Sequence, residues 1–167
     1  FKLTSSQENV LKEINDDILS KKRMFRIVQG DVGSGKTIVS LLTITNVIKS
    51  GYQCTLMSPT EILARQHYEL SKKIFKNRFK IEFLTGKTDY KLRKDILNRL
   101  KNGTIDLLIG THALFQKKVN FKKLGLAVID EQHKFGVKQR SDLAIKGGNN
   151  CDVLLMSATP IPRTMMM

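Results

Sequence analysis

The residues Gly30-Asp31-Val32-Gly33-Ser34-Gly35-Lys36-Thr37 follow the apolar run FRIVQ and fit the spacing G-x-x-x-x-G-K-[ST]. This spacing has a chemical purpose. Glycines let the backbone wrap closely and turn its N–H groups toward one centre. A helix starting at the end of the loop adds its positive N-terminal end. Lys36 then reaches the β- and γ-phosphates of a nucleotide, and the Thr37 hydroxyl offers a hard oxygen to Mg²⁺. A plain glycine-rich turn needs neither the lysine nor the threonine. The expected ligands are a nucleoside triphosphate and Mg²⁺, held by residues 30–37.

Such a loop serves kinases, GTPases and ATPases alike, and a second group of residues narrows the choice. LAVIDEQH, residues 126–133, is an apolar strand that ends in adjacent carboxylates. Asp130 suits the metal-organising role, alongside Thr37. Glu131 suits the residue that orients and deprotonates an attacking water. The two tasks need two acids, because a carboxylate committed to a metal is a poor base.

These groups must be positioned by the elements around them. Thr4-Ser5-Ser6-Gln7 is a capping-box pattern, and Val10, Leu11, Ile14 and Ile18 follow at helical spacing. The pattern predicts a helix from about Ser5, closed by Lys21-Lys22-Arg23. A short strand over 25–29 precedes the glycine loop, and Ile38 to Ile48 makes a helix that Ser50-Gly51 ends. Strands over 52–57, 79–84, 106–109, 126–129 and 153–156 alternate with helices over 61–75 and 90–101. In the helix over 90–101, Leu92, Ile96, Leu97 and Leu100 are expected to face inward. The alternation predicts an α/β fold with a mainly parallel sheet covered by helices on both faces. Ligands of such sheets gather beyond the carboxyl ends of the strands. This directs attention to Ser58 to Thr60, Thr85 to Lys87, Gly110 to His112 and Ser157 to Thr159.

The 167 residues suit one domain over 1–167, and 41% hydrophobic with 26% charged residues is a globular composition. Phe1 and Met165 to Met167 do not read as natural termini, so a piece of a longer protein is expected. No apolar run approaches the ~18 residues that span a bilayer. Twenty-nine basic against 15 acidic residues give a net charge of +14, of which only +3 falls in residues 1–50. Basic residues cluster at 72–80, 91–94 and 117–123. That excess favours an anionic partner, most often nucleic acid, over simple solubility. Aromatics are few, at 7% with no tryptophan, which argues against base stacking as the main source of affinity. Phe115 and Phe135 are expected to pack rather than stack. Cys54 and Cys151 read as small buried hydrophobes. With His67 and His112 lacking partners at useful spacing, no zinc site is expected.

Taken in order, PTEILARQ at 59–66, TG at 85–86, GTHAL at 110–114, DEQH at 130–133 and SAT at 157–159 resemble the segments of superfamily 2 helicases. VQGDVGSGKT, PTEILARQH, GTHALFQ, IDEQHKFGVKQR and SATPIPRT closely resemble the RecG family of DNA repair helicases, and the likeness runs through essentially the whole chain. It implies a RecA-like three-layer P-loop fold and the first motor domain of a monomeric, cytoplasmic bacterial enzyme that uses ATP to remodel branched DNA. A wedge domain and a second motor domain would lie elsewhere in the full protein. The transcription-repair coupling translocase shares a KFGV-like segment and stays an alternative. A nucleic-acid-binding module with a vestigial nucleotide site and an RNA helicase stay open as further readings.

The resemblance also implies roles. Phe1, Leu3, Thr4 and Gln7 are similar to an adenine-reading segment, although Gln7 could serve only the capping box. Pro59, Thr60, Glu61, Arg65, Thr85, Gly86, Lys87, Gly110, Thr111 and His112 would line the nucleic-acid face. His133 would link the phosphate site to Ser157, Ala158 and Thr159. The family's transition-state arginine is expected on the second motor domain, so Arg163 is read as structural. The chain alone is then expected to hydrolyse ATP barely.

Overall fold

A computed structural model describes residues 2–20, 25–30, 35–130 and 151–157. Its elements follow the sequence pattern closely: α1 (Ser5–Leu19), β1 (Phe25–Gln29), α2 (Lys36–Lys49), β2 (Gln53–Met57), α3 (Glu61–Phe75), β3 (Ile81–Leu84), α4 (Tyr90–Lys101), β4 (Leu107–Gly110), β5 (Leu124–Asp130) and β6 (Asp152–Ser157). A one-turn 3-10 helix, His112–Phe115, follows β4. Both sides of the Thr4–Gln7 capping box form, so the first helix starts where its sequence says it should.

The six strands form one sheet in the order β1-β6-β5-β2-β4-β3, and every pairing is parallel. Apolar residues alternate across it. On β5, Leu126 and Val128 join the core under α1, α2 and α3, whereas Ala127 and Ile129 join Ile96 and Leu100 of α4 on the other face. Both faces are therefore buried, as an all-parallel sheet requires. The chain passes from β1 to its sequence neighbour β2 across two intervening strands, β6 and β5.

Two details depart from the sequence reading. Leu92 is 48% exposed rather than inward. Successive residues turn by about 100° around a helix, so Ile96, Leu97 and Leu100 centre the buried face on a line that Arg93 joins and Leu92 misses by about a quarter turn. Arg93 accordingly points in and donates from Nη1 to the Thr85 carbonyl at 3.1 Å. Strand ends also shift by one or two residues. Phe79 and Lys80 precede β3, and Gly110 closes β4, where an added β-carbon would come within 2.0 Å of the Leu84 carbonyl oxygen.

Candidate functional site

Because all strands run the same way, their carboxyl ends form one edge. Along it lie Gly30 after β1, Ser157 on β6, Asp130 on β5, Ser58 to Thr60 after β2, Gly110 and Thr111 at β4, and Thr85 after β3. The edge divides between β5 and β2. Of the predicted phosphate residues, Gly30, Lys36 and Asp130 fall in the half over β1, β6 and β5, and the predicted nucleic-acid residues fall in the half over β2, β4 and β3.

In the phosphate half, Gly35 caps α2 in the left-handed region at φ +84°. Its lack of a side chain leaves room for the Gln7 amide. Lys36 opens α2, and its Nζ donates to the Gly30 carbonyl at 2.5 Å, which folds the ammonium back over the end of β1. Gln29 is in register with Ser157, and Asp130 with Met156, so the ends of β1 and β5 flank β6. Two strand spacings of about 4.8 Å set those ends roughly 10 Å apart. The Lys36 ammonium, held at the end of β1, and Asp130 are thus separated by a span that a hydrated ion and a phosphate chain can bridge.

Asp130 is mostly buried, and its Oδ2 lies 2.7 Å from His67 Nε2 on α3. An ionised carboxylate only accepts, so the imidazole donates from Nε2. Oδ1 meets no hydrogen-bond donor among the described residues, and a carboxylate oxygen together with a threonine hydroxyl, here from Thr37 at the start of α2, is the kind of hard donor set that Mg²⁺ takes. Beside it, Ser58 Oγ is buried and without a partner among the described residues.

In the other half, the predicted contacts are braced by one another. Thr60 caps α3, its hydroxyl accepting the Leu63 N–H at 3.3 Å. The Thr85 hydroxyl accepts the Lys87 N–H at 3.2 Å, and Thr88 Oγ1 accepts the Thr85 N–H at 3.0 Å. The Lys87 side chain is left 87% exposed, its ammonium 3.8 Å from a carboxylate oxygen of Glu61. Arg65 lies 4.8 Å over the Phe83 ring and 3.9 Å from Glu61. Together Glu61, Ile62, Arg65 and Lys87 line part of an open cleft of about 630 Å³. Ser58 N–H donates to the Gly110 carbonyl at 3.0 Å, tying this half together between β2 and β4. His112 is exposed on the short helix beyond Thr111.

Asp31, Val32, Gly33, Ser34, Glu131, His133, Ala158 and Thr159 lie outside the described residues, as do Phe1, Phe135, Arg163 and the Phe115 side chain. Sequence reasoning missed His67 and Arg93. The partner of His67 is 63 residues away, so no local spacing could have signalled the pair.

The DEAD/DEAH box helicase family pattern matches residues 4–167. The chain is 51% identical over 166 residues to the ATP-dependent DNA helicase RecG of Synechocystis sp., covering 99% of this chain and 20% of that protein. It is 52% identical over 167 residues to the protein of the same name from Aquifex aeolicus, covering 99% and 21%. The chain therefore spans about a fifth of the length of these curated relatives. A solved structure of RecG bound to a three-way DNA junction superimposes with a TM-score of 0.86 at 46% identity, over 99% of this chain and 22% of that one. The DEAD-box helicase Mss116 bound to ssRNA and UDP-BeF matches in fold, with a TM-score of 0.76 at 23% identity over 98% and 37%.

Proposed function

Because the chain belongs to the DEAD/DEAH box helicase family, we propose that it is the ATP-binding motor domain of a RecG-like DNA helicase that remodels branched DNA. The observation that carries this reading is the placement of Lys36, at the start of α2 with its ammonium on the Gly30 carbonyl after β1, and of Asp130, at the end of β5, on either side of β6 at one edge of the sheet. The identity of about half to proteins named DNA helicase RecG favours DNA over RNA as the substrate, and the likeness to RecG bound to a three-way DNA junction favours branched DNA.

The residues divide the work by chemistry. Gly35 and the N-terminal end of α2 would receive phosphate oxygens on backbone N–H groups. The Lys36 ammonium would exchange the Gly30 carbonyl for phosphate oxygens and offset the charge that builds on them during transfer. Thr37 and Asp130 would hold Mg²⁺, which when bound neutralises phosphate charge. Glu131 would take the proton of the attacking water, and His133 would carry the state of this site to 157–159. Gln7 would approach the base with an amide that both donates and accepts. Thr60, Arg65, Lys87, Thr111 and their neighbours would grip phosphates of the DNA backbone. Such contacts carry no sequence information, which suits a motor that works on any sequence.

The remaining four-fifths of the full protein would supply a wedge, a second motor domain and the transition-state arginine. An arginine of this kind contributes ~10³- to 10⁵-fold in related phosphoryl-transfer sites, so residues 1–167 alone would turn over barely. The test is steady-state ATP hydrolysis by the full-length protein with and without fork DNA. Lys36→Ala is expected to abolish hydrolysis while leaving fork binding without nucleotide intact. Equal hydrolysis by Lys36→Ala and the unmodified protein would overturn the assignment. Competition between fork DNA and duplex RNA in the same assay separates the DNA reading from the RNA one.

A further inference from the structure

We propose that His67 is a positioning residue for Asp130, and that their hydrogen bond is the link by which contact of α3 with DNA reaches the phosphate half of the edge. This rests on the reading of Asp130 as a metal-holding carboxylate and of residues 59–61 as a DNA contact.

The topology makes the pair unusual. Asp130 ends β5, on the phosphate side of the division, whereas His67 belongs to the helix that leaves β2 on the nucleic-acid side. Their 2.7 Å bond crosses between the halves. Both side chains are mostly buried, at 11% and 14% exposure, so water competes little for the contact. A buried polar pair is a weak source of stability, because desolvation offsets its attraction. An apolar pair would serve the core as well, which favours a role in orientation.

The bond acts on one oxygen of a two-oxygen group. With Oδ2 held by the imidazole, rotation of the carboxylate is blocked and Oδ1 keeps a fixed aim. Ligating groups are oriented in this way by outer hydrogen bonds, and loss of such a bond typically costs about 10- to 100-fold in metal affinity. The helix is a stiff lever. Thr60 caps it, Ala64 and Ser71 are fully buried, and Phe75 is buried near its far end. Seven residues at about 1.5 Å each separate Thr60 from His67, so a phosphate seated at the helix start lies about 10 Å along one rigid element from the imidazole. Any shift or tightening of α3 on DNA would reach Asp130 through this hydrogen bond.

The test uses the full-length protein and three variants. Gln reaches with its amide nitrogen to about where Nε2 stands, Asn is too short, and Leu fills the volume with no donor. Mn²⁺ affinity is read by electron paramagnetic resonance with a non-hydrolysable ATP analogue bound, and ATP hydrolysis is read with and without fork DNA. His67→Asn and His67→Leu are expected to weaken Mn²⁺ binding about 10-fold or more and to remove most of the stimulation by DNA. Fork affinity without nucleotide should stay unchanged, and His67→Gln should retain both properties. Native Mn²⁺ affinity and DNA stimulation in His67→Asn would overturn the inference, and so would equal losses in His67→Gln and His67→Asn. If Leu fails to fold, the comparison of Asn with Gln still decides. Lack of fork-stimulated hydrolysis in the unmodified protein would instead sink the functional reading on which the inference stands.

Discussion

The Gln7 amide nitrogen occupies the space a side chain on Gly35 would need: a β-carbon there would come within 1.8 Å of it. The first helix and the start of α2 are thereby packed through a position that only glycine fills comfortably. The same amide uses its oxygen to accept the Thr4 N–H at 2.9 Å, so one residue both caps α1 and rests on the end of the phosphate loop.

Gly35→Ala is consequently expected to fail twice. The left-handed φ of +84° costs a residue with a β-carbon about 1–2 kcal/mol, and the methyl group displaces Gln7. Chemical denaturation should show a loss of that order, and nucleotide affinity should fall at least tenfold. The double variant Gln7→Ala, Gly35→Ala should recover part of the stability, because it removes the clash and leaves only the backbone cost. A single variant as stable as the unmodified protein would contradict this account of the loop.

Gln53 sits at the start of β2 with its amide fully engaged. It donates to the Leu100 and Ile105 carbonyls at 3.0 and 2.8 Å in the interior and accepts the half-buried Lys123 N–H at 2.9 Å. Gln53→Leu keeps the volume but strands the Ile105 carbonyl and the Lys123 N–H. Unpaired buried groups cost about 1–3 kcal/mol each, so a loss of about 2–4 kcal/mol is expected in urea denaturation. A change within 0.5 kcal/mol, the usual range of a surface substitution, would show that water replaces the lost bonds.

Burial pushes the Cys54 thiol well above its ordinary value of 9.0, with the neighbouring Cys151 and Asp106 adding to the effect. The folded protein thus keeps a proton that the unfolded chain releases. This contribution to stability is fully present below about pH 9 and is lost progressively as pH rises above it, toward the folded-state value. Native protein at pH 8 should resist alkylation at Cys54, while urea-unfolded protein should react at once. Rapid modification of the native protein would show that the thiol is reached without unfolding. Cys54→Ser should flatten the stability profile above pH 9 relative to the unmodified chain.

The periodicities of the sequence identify nearly every element, because each helix and strand buries a continuous apolar face. Asp130 and Lys36 are also legible, since an apolar strand running into acids and a glycine loop running into a lysine are local patterns. The order of the strands is not. β1 and β2 are consecutive, yet β6 and β5 come between them, and only tertiary packing decides that. The His67–Asp130 bond depends on that order and is invisible for the same reason. Arg93 was hidden by a different effect. Leucines dominate any reading of α4, whereas the buried face drifts around the helix and takes in an arginine whose fork can bond a carbonyl.

That arginine supports the last prediction. Arg93 Nη1 holds the Thr85 carbonyl, and its Nη2 donates to Gln116 Oε1, so it fixes the loop that displays Lys87. Lys87 itself reaches solvent. Fork affinity should fall steeply with salt, by about 0.9 in logarithmic slope for each phosphate contact released. Lys87→Ala should weaken binding to every sequence alike and reduce the slope by about 1. Arg93→Ala should weaken binding by a similar factor for another reason, disorder of the 85–87 loop, which amide hydrogen exchange at Lys87 reports directly. In the intact protein its N–H is bonded to the Thr85 hydroxyl and is expected to exchange slowly. Faster exchange in Arg93→Ala with a reduced salt slope would join the two observations. An unchanged slope in Lys87→Ala would move the DNA contact away from this loop.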